Sequence, residues 1–127
     1  MRSYSVAVAS LAIDAPVKWT DNVLSQHGVP GVQSDTRGVA RRIPDSSLIV
    51  LSIGRQLHTR LGLGVADALR VAAELLNSHE SGVVEYGQIR LAVDLTALRR
   101  EVDIRLLDAL ESAPTPRRGR PPGRSQV

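Results

Sequence analysis

The chain has 127 residues, 16 basic and 13 acidic side chains and no cysteine, which suits one folded domain with a modest core and a small appendage. The lack of cysteine excludes a disulfide framework, a thiolate metal site and a cysteine nucleophile. The longest apolar run, residues 48–53, is too short to cross a bilayer, and the first residues lack the apolar region of a signal peptide. We therefore expect a cytoplasmic protein that has no membrane partner.

Charge is distributed unevenly along the chain. Residues 1–60 carry seven basic and four acidic side chains, residues 61–112 carry five and nine, and residues 113–127 carry four basic side chains and no acidic one. Two basic ends around an acidic middle are typical of a protein whose ends contact nucleic acid. The alternative is ordinary charge on a solvated surface.

Two short helices separated by a turn are predicted first. Residues 6–13 are small and apolar with a helical spacing, although a strand over residues 4–8 is the alternative. The sequence Asp-Ala-Pro at 14–16 ends this element and favours the start of a second helix over residues 16–26. The glycine and proline within residues 28–30 prevent that helix from continuing.

The second helix has two faces of different character. Val17, Val23 and Leu24 are expected to face the core. The outward face carries amide, cationic and aromatic side chains, which can contact base edges in the major groove of DNA. The four candidate recognition residues are Lys18, Trp19, Asn22 and Gln26. For Trp19, a place in the core is the alternative.

Residues 32–43 comprise two short β-capable runs around a polar turn that contains glycine, which predicts a β-hairpin wing. Arg37 at its tip and Arg41 and Arg42 on its return strand are expected to contact phosphates or an adjacent minor groove. The alternative is that all three are solvated arginines.

Two longer helices are predicted next, one from a capping sequence at 44–47 to residue 62 and one over residues 64–76. The order of elements, with Gly-Val-Ala-Arg-Arg-Ile-Pro-Asp at 38–45 and Leu-Gly-Leu-Gly-Val at 61–65, resembles MerR-type and excisionase-like winged helix-turn-helix domains. The resemblance covers residues 4–76. It implies that the second helix and the wing both contact DNA.

The sequence departs from the family pattern at two places. Asp-Ala-Pro at 14–16 replaces the usual glycine of the first turn, and Trp-Thr-Asp-Asn at 19–22 stands where the family has Leu-Arg-Tyr. Individual base contacts and the metal-based or cysteine-based effector chemistry of the family are therefore not implied for this chain.

Residues 77–112 are predicted to contain short strands at 83–84 and 88–94, followed by an amphipathic helix over 95–112. Because a winged domain offers little surface to cover this helix, we expect a homodimer with twofold symmetry. The alternative is a monomer whose last helix folds back on the third and fourth helices. The expected dimer or partner residues are Leu95, Leu98, Val102, Leu106 and Leu110.

Residues 113–127 are predicted to be a disordered basic tail. The sequence Arg-Gly-Arg-Pro at 118–121 resembles an AT-hook, which lies along the minor groove of A·T-rich DNA. A solvated arginine-rich tail is the alternative. The candidate minor-groove residues are Arg117, Arg118, Gly119, Arg120, Pro121 and Arg124.

Nothing in the sequence points to catalysis, a cofactor or a metal. The three histidines are far apart and have no metal-ligand spacing, and no phosphate-binding loop or Ser-His-Asp grouping is present. We expect a mainly α fold with small β, a winged helix-turn-helix followed by a short strand region and an amphipathic C-terminal helix. The expected function is that of a sequence-preferring DNA-binding protein, a nucleoid-associated bacterial transcriptional regulator that binds double-stranded DNA. An architectural protein that bends DNA without sequence preference is one alternative. The other alternative is an antitoxin or adaptor that binds a partner protein through its C-terminal helix and uses DNA binding for autoregulation.

Overall fold

Five helices and two small antiparallel sheets make up residues 2–32 and 41–112, the part of the chain that this computed structural model describes. The helices are α1 (Val6–Ala12), α2 (Val17–Gln26), α3 (Asp45–Leu61), α4 (Val65–Asn77) and α5 (Leu95–Ser112). The strands are β1 (Ser3–Tyr4), β2 (Ile43–Pro44), β3 (Val83–Tyr86) and β4 (Ile89–Ala92). The predicted mainly helical fold with a small β content is confirmed.

The turn between α1 and α2 places a residue that is not glycine in the left-handed conformation. Asp14 has a φ of 57°, which aspartate tolerates better than most residues. Its amide donates to the carbonyl of Leu11 at 3.2 Å, and the amide of Ala15 donates to the carbonyl of Ser10 at 2.9 Å. This pair of hydrogen bonds is a Schellman motif. Asp14 therefore adopts the left-handed conformation that a glycine would usually adopt in this turn.

Strand β2 pairs with the N-terminal strand β1, in the register Ser3↔Pro44 and Tyr4↔Ile43. Ile43, the last residue of the predicted hairpin wing, thus has its partner strand at the N-terminus. The predicted capping sequence at 44–47 also needs correction, because no side chain caps α3. Ser47 is buried and donates its hydroxyl hydrogen bond to the carbonyl of Pro30 instead.

Helices α3 and α4 pack side by side and carry much of the core. Gly54 of α3 lies so close to α4 that an added Cβ would be 2.9 Å from Cδ2 of Leu69. Helix α3 ends at Gly62, which is left-handed with a φ of 76°. The largest side chains that are almost fully buried include Ile43, Leu48, Leu51 and Leu75.

Helix α5 packs back against α1 and α3 of its own chain. Its buried side chains are Leu98, Val102, Leu106 and Ala109. Leu98, Val102 and Leu106 belong to the same buried cluster as Tyr4 and the side chains of α3 and α4, so the predicted segments 4–76 and 77–112 share one core. The hairpin of β3 and β4, in the register Val83↔Ala92 to Tyr86↔Ile89, lies between α4 and α5 in the chain. None of the described helices has the length and apolar character needed to span a membrane.

Candidate nucleic-acid interface

Helix α2 presents a polar side to solvent. Lys18, Asn22 and Gln26 are all exposed, as predicted, and so are Asp21 and Ser25. Viewed down the helix axis, Lys18 and Ser25 point in nearly the same direction, although they are two turns apart. Asp21 and Asn22 point to the two sides of that direction. The exposed side of α2 therefore offers an ammonium, an amide, a hydroxyl and a carboxylate within one stripe.

The buried side of α2 differs from the prediction at one position. Thr20 and Val23 are buried, but Val17 is 50% exposed. Val17 is the first residue of the helix and lies at its free end, whereas Thr20 lies one turn further into the packed part. The hydroxyl of Thr20 donates to the carbonyl of Pro16 at 3.3 Å, so this polar group is satisfied although it is buried.

Trp19 takes the alternative place predicted for it, against the core. Its ring is half-buried and stacks on the ring of His58, with centroids 6.3 Å apart and an angle of 27° between the planes. The guanidinium carbon of Arg55 lies 4.8 Å from the centre of the indole ring. Trp19 thus joins α2 to α3, and the candidate recognition set is reduced to Lys18, Asn22 and Gln26.

Arg41 is bonded to α2. Its Nη1 donates to Oδ1 of Asp21 at 2.9 Å, its Nη2 donates to Oγ of Ser25 at 3.1 Å, and only 14% of its side chain is exposed. The guanidinium of Arg41 is thus engaged within the chain, and its contact with phosphate stays a prediction. Its position fixes the end of the predicted wing segment beside the exposed side of α2.

Arg42 is bonded to β1 in a similar way. Its Nη2 donates to the carbonyl oxygen of Ser3 at 2.7 Å, and its Nε donates to Oγ of Ser3 at 3.3 Å. Unlike Arg41, Arg42 is exposed, so its remaining surface is accessible to a phosphate group.

Tyr4 is a buried residue of β1, the strand to which Arg42 is bonded. Burial is the main cause that raises the pKa of Tyr4, and a hydrogen bond with Asp45 raises it further, while Arg2 acts in the opposite direction. Tyr4 therefore remains a neutral hydrogen-bonding group that links β1 to the start of α3.

The apolar side chains of α5 are divided between core and solvent in a way that corrects the predicted partner set. Leu98, Val102 and Leu106 are covered by their own chain, Leu95 is half-buried, and Leu110 is 50% exposed. Two apolar side chains of α5 outside the predicted set are more exposed, Ile104 at 55% and Leu107 at 66%. A partner of this helix would contact these exposed residues.

Two predicted groups lie outside the described residues: most of the hairpin wing, residues 33–40 with Arg37 at its tip, and the tail residues 113–127 with Arg117, Arg118, Gly119, Arg120, Pro121 and Arg124. Within residues 2–32 and 41–112, no three histidine, aspartate or glutamate side chains come together in a way that could hold a metal ion. Comparisons with protein-family models, with curated proteins and with solved structures found no match for this chain.

Proposed function

We propose that this protein binds double-stranded DNA as a winged helix-turn-helix protein, with α2 as the recognition helix and residues 32–42 as the wing. The observation that supports the proposal is the attachment of Arg41 to Asp21 and Ser25. This attachment returns the wing segment to the fold next to the exposed side of α2. A helix and an adjoining loop can then contact one stretch of DNA together.

The electrostatics of the surface agree with this function. An unpaired carboxylate on a recognition helix would repel the phosphate backbone, but the carboxylate of Asp21 is paired with Arg41. Lys18 on the same helix and Arg42 next to Arg41 in the chain are both exposed and supply positive charge. The arginines of residues 113–127 add a sequence-tolerant contribution to affinity through the minor groove.

We further propose that two copies associate through the exposed side of α5. In an antiparallel pairing about a twofold axis, Ile104 of one subunit meets Leu107 of the partner subunit. The same register places Arg100 opposite Glu111 of the partner subunit, which gives the apolar centre a complementary pair of charges at each end. A twofold dimer would present two α2 helices to two half-sites on DNA.

A second candidate function is supported by the same exposed apolar side chains. Ile104, Leu107 and Leu110 could instead hold a different protein, as in an antitoxin or adaptor, with DNA binding serving autoregulation. The two functions are distinguished by the oligomeric state of the isolated protein, because only the first predicts self-association.

The experiment that tests DNA binding is enrichment of a randomised duplex library on the intact protein, followed by fluorescence anisotropy with the enriched duplex and a shuffled duplex. We expect an enriched motif and a preference of about tenfold or more for it. The double variant Lys18→Ala and Asn22→Ala should lose most of this preference, whereas Gln88→Ala, on the exposed turn between β3 and β4, should retain it. Truncation after residue 113 should weaken binding to both duplexes and flatten the salt dependence. If no duplex binds at moderate salt, the proposal is wrong.

A further inference from the structure

A polar cavity of about 190 Å³ lies where the α1–α2 turn, α3 and α5 meet. Helix α3 lines it with Ser52, Arg55, Gln56, Thr59 and Arg60, α5 contributes Glu101 and Arg105, and the turn contributes Ile13 and Asp14. None of the candidate recognition residues lines it. The cavity is smaller than the pockets of about 300–1,000 Å³ that hold drug-sized ligands, so its volume suits a small ion or a short ligand.

Three arginines and two acidic residues line this cavity. Arg105 is partly neutralised, because its Nη1 is 3.7 Å from Oε1 of Glu101. Within residues 2–32 and 41–112, neither Arg55 nor Arg60 has a salt bridge to an acidic side chain, and Arg55 lies over the ring of Trp19. The cavity thus contains positive charge that the described part of the chain does not neutralise.

We propose that this cavity binds a small phosphate-bearing anion, either inorganic phosphate or a short phosphomonoester. Guanidinium groups bind phosphate oxygens in a bidentate manner, and Arg55 and Arg60 of α3 line this space together with Arg105 of α5. The side-chain amide of Gln56 supplies a further donor, since it lines the same space. The carboxylate of Asp14 opposes binding, which makes it a sensitive position for a test. This inference does not depend on DNA binding.

The chain contains a single tryptophan, and Arg55 lies 4.8 Å from its ring, so tryptophan fluorescence should report the occupancy of the cavity. The probes are sodium phosphate and glycerol phosphate, each titrated against sodium chloride at constant ionic strength, with calorimetry as a second measurement. We expect a saturable change with phosphate. Glycerol phosphate should bind at least as tightly if a phosphomonoester is the natural ligand, and more weakly if free phosphate is.

Three variants make the test specific. Arg60→Gln should weaken phosphate binding about tenfold, since it removes a charged hydrogen-bond donor from the site. Asp14→Asn should strengthen binding about threefold, because it removes the opposing charge while asparagine still tolerates the left-handed conformation. Arg99→Gln is the matched control, an exposed arginine of α5 that does not line the cavity, and it should leave binding unchanged.

The proposal is overturned if phosphate gives no saturable response up to about 20 mM, a concentration that corresponds to very weak affinity. It is also overturned if Arg60→Gln and Arg99→Gln change phosphate binding equally, which would indicate unspecific charge attraction. Loss of DNA affinity in Arg60→Gln with unchanged phosphate binding would overturn it as well, and would assign Arg60 to the DNA backbone.

Discussion

The guanidinium of Arg41 lies 2.9 Å from the carboxylate of Asp21, which stands on the exposed side of α2 twenty residues earlier in the chain. This pair neutralises the acidic charge nearest to the proposed DNA surface. It also holds the end of the wing segment against the helix.

Replacement of Asp21 by asparagine is expected to strengthen DNA binding about threefold to tenfold and to steepen its salt dependence, because it removes a carboxylate that repels the phosphate backbone. Fluorescence anisotropy at several salt concentrations measures both effects. Asp67→Asn is the matched control, since it also removes a carboxylate paired with an arginine, Arg70 on α4. Weaker binding by Asp21→Asn would show instead that Asp21 itself contacts a base.

Substitution of Leu107 by glutamate should dissociate the proposed dimer, because it places a charge at the centre of the apolar side of α5 in both subunits. We expect the dissociation constant to rise about a hundredfold or more. Sedimentation velocity over a range of concentrations gives this constant. Leu61→Glu provides a matched control, since Leu61 is similarly exposed, at 60%, but lies on α3. A native protein that stays monomeric at about 100 µM would favour the adaptor function.

The left-handed conformation of Asp14 in the α1–α2 turn leads to a prediction about stability. Asp14→Gly should raise the free energy of unfolding by about 0.5–1 kcal/mol, because glycine adopts a φ of 57° without steric cost. Asp14→Ala should lower it by about 1 kcal/mol. Urea denaturation of the two variants measures the difference. Equal stabilities would mean that the turn relaxes to another conformation.

Two left-handed glycines of the C-terminal region form a natural pair for comparison. An added Cβ at Gly82 would lie 2.7 Å from the carbonyl oxygen of Val93, whereas at Gly87 it would meet nothing within 4 Å. Gly82→Ala should therefore lower the free energy of unfolding by about 3 kcal/mol, and Gly87→Ala by only about 1 kcal/mol. Thermal unfolding followed by circular dichroism compares the two variants. Similar losses in both would contradict the role assigned to close packing at Gly82.

The free energy of unfolding should fall at alkaline pH, because Tyr86 loses its hydroxyl proton there. Its hydroxyl donates a hydrogen bond to the carboxylate of Glu74, which raises the pKa of Tyr86 above its ordinary value of 10.0, with burial as a smaller cause. A raised pKa in the folded state means that the stabilisation is complete below pH 10 and is lost as the pH rises through the folded pKa. Urea denaturation at about pH 8 and about pH 11 measures this effect. Between these two pH values, the free energy of unfolding should fall less for Tyr86→Phe than for the native chain. The same loss in both would contradict this role.

The boundaries of the helices could be predicted from local sequence. Gly62 ends α3, Pro16 precedes α2, and the apolar spacing of α4 marks its buried side. These signals act within one or two turns of backbone, so they are legible without knowledge of the fold. The sequence alone also determined the uneven charge and the lack of cysteine.

The contacts that shape the candidate site were decided by the tertiary structure. Arg41 and Asp21 are separated by twenty residues, and Trp19 and Arg55 by more than thirty. No local sequence pattern therefore predicts either contact. Burial of α5 against α1 likewise depends on which apolar surface is nearest once the core has formed, and not on the pattern of α5 itself. Local sequence determined which segments are helical, whereas packing between distant segments decided which side chains remain exposed for a partner.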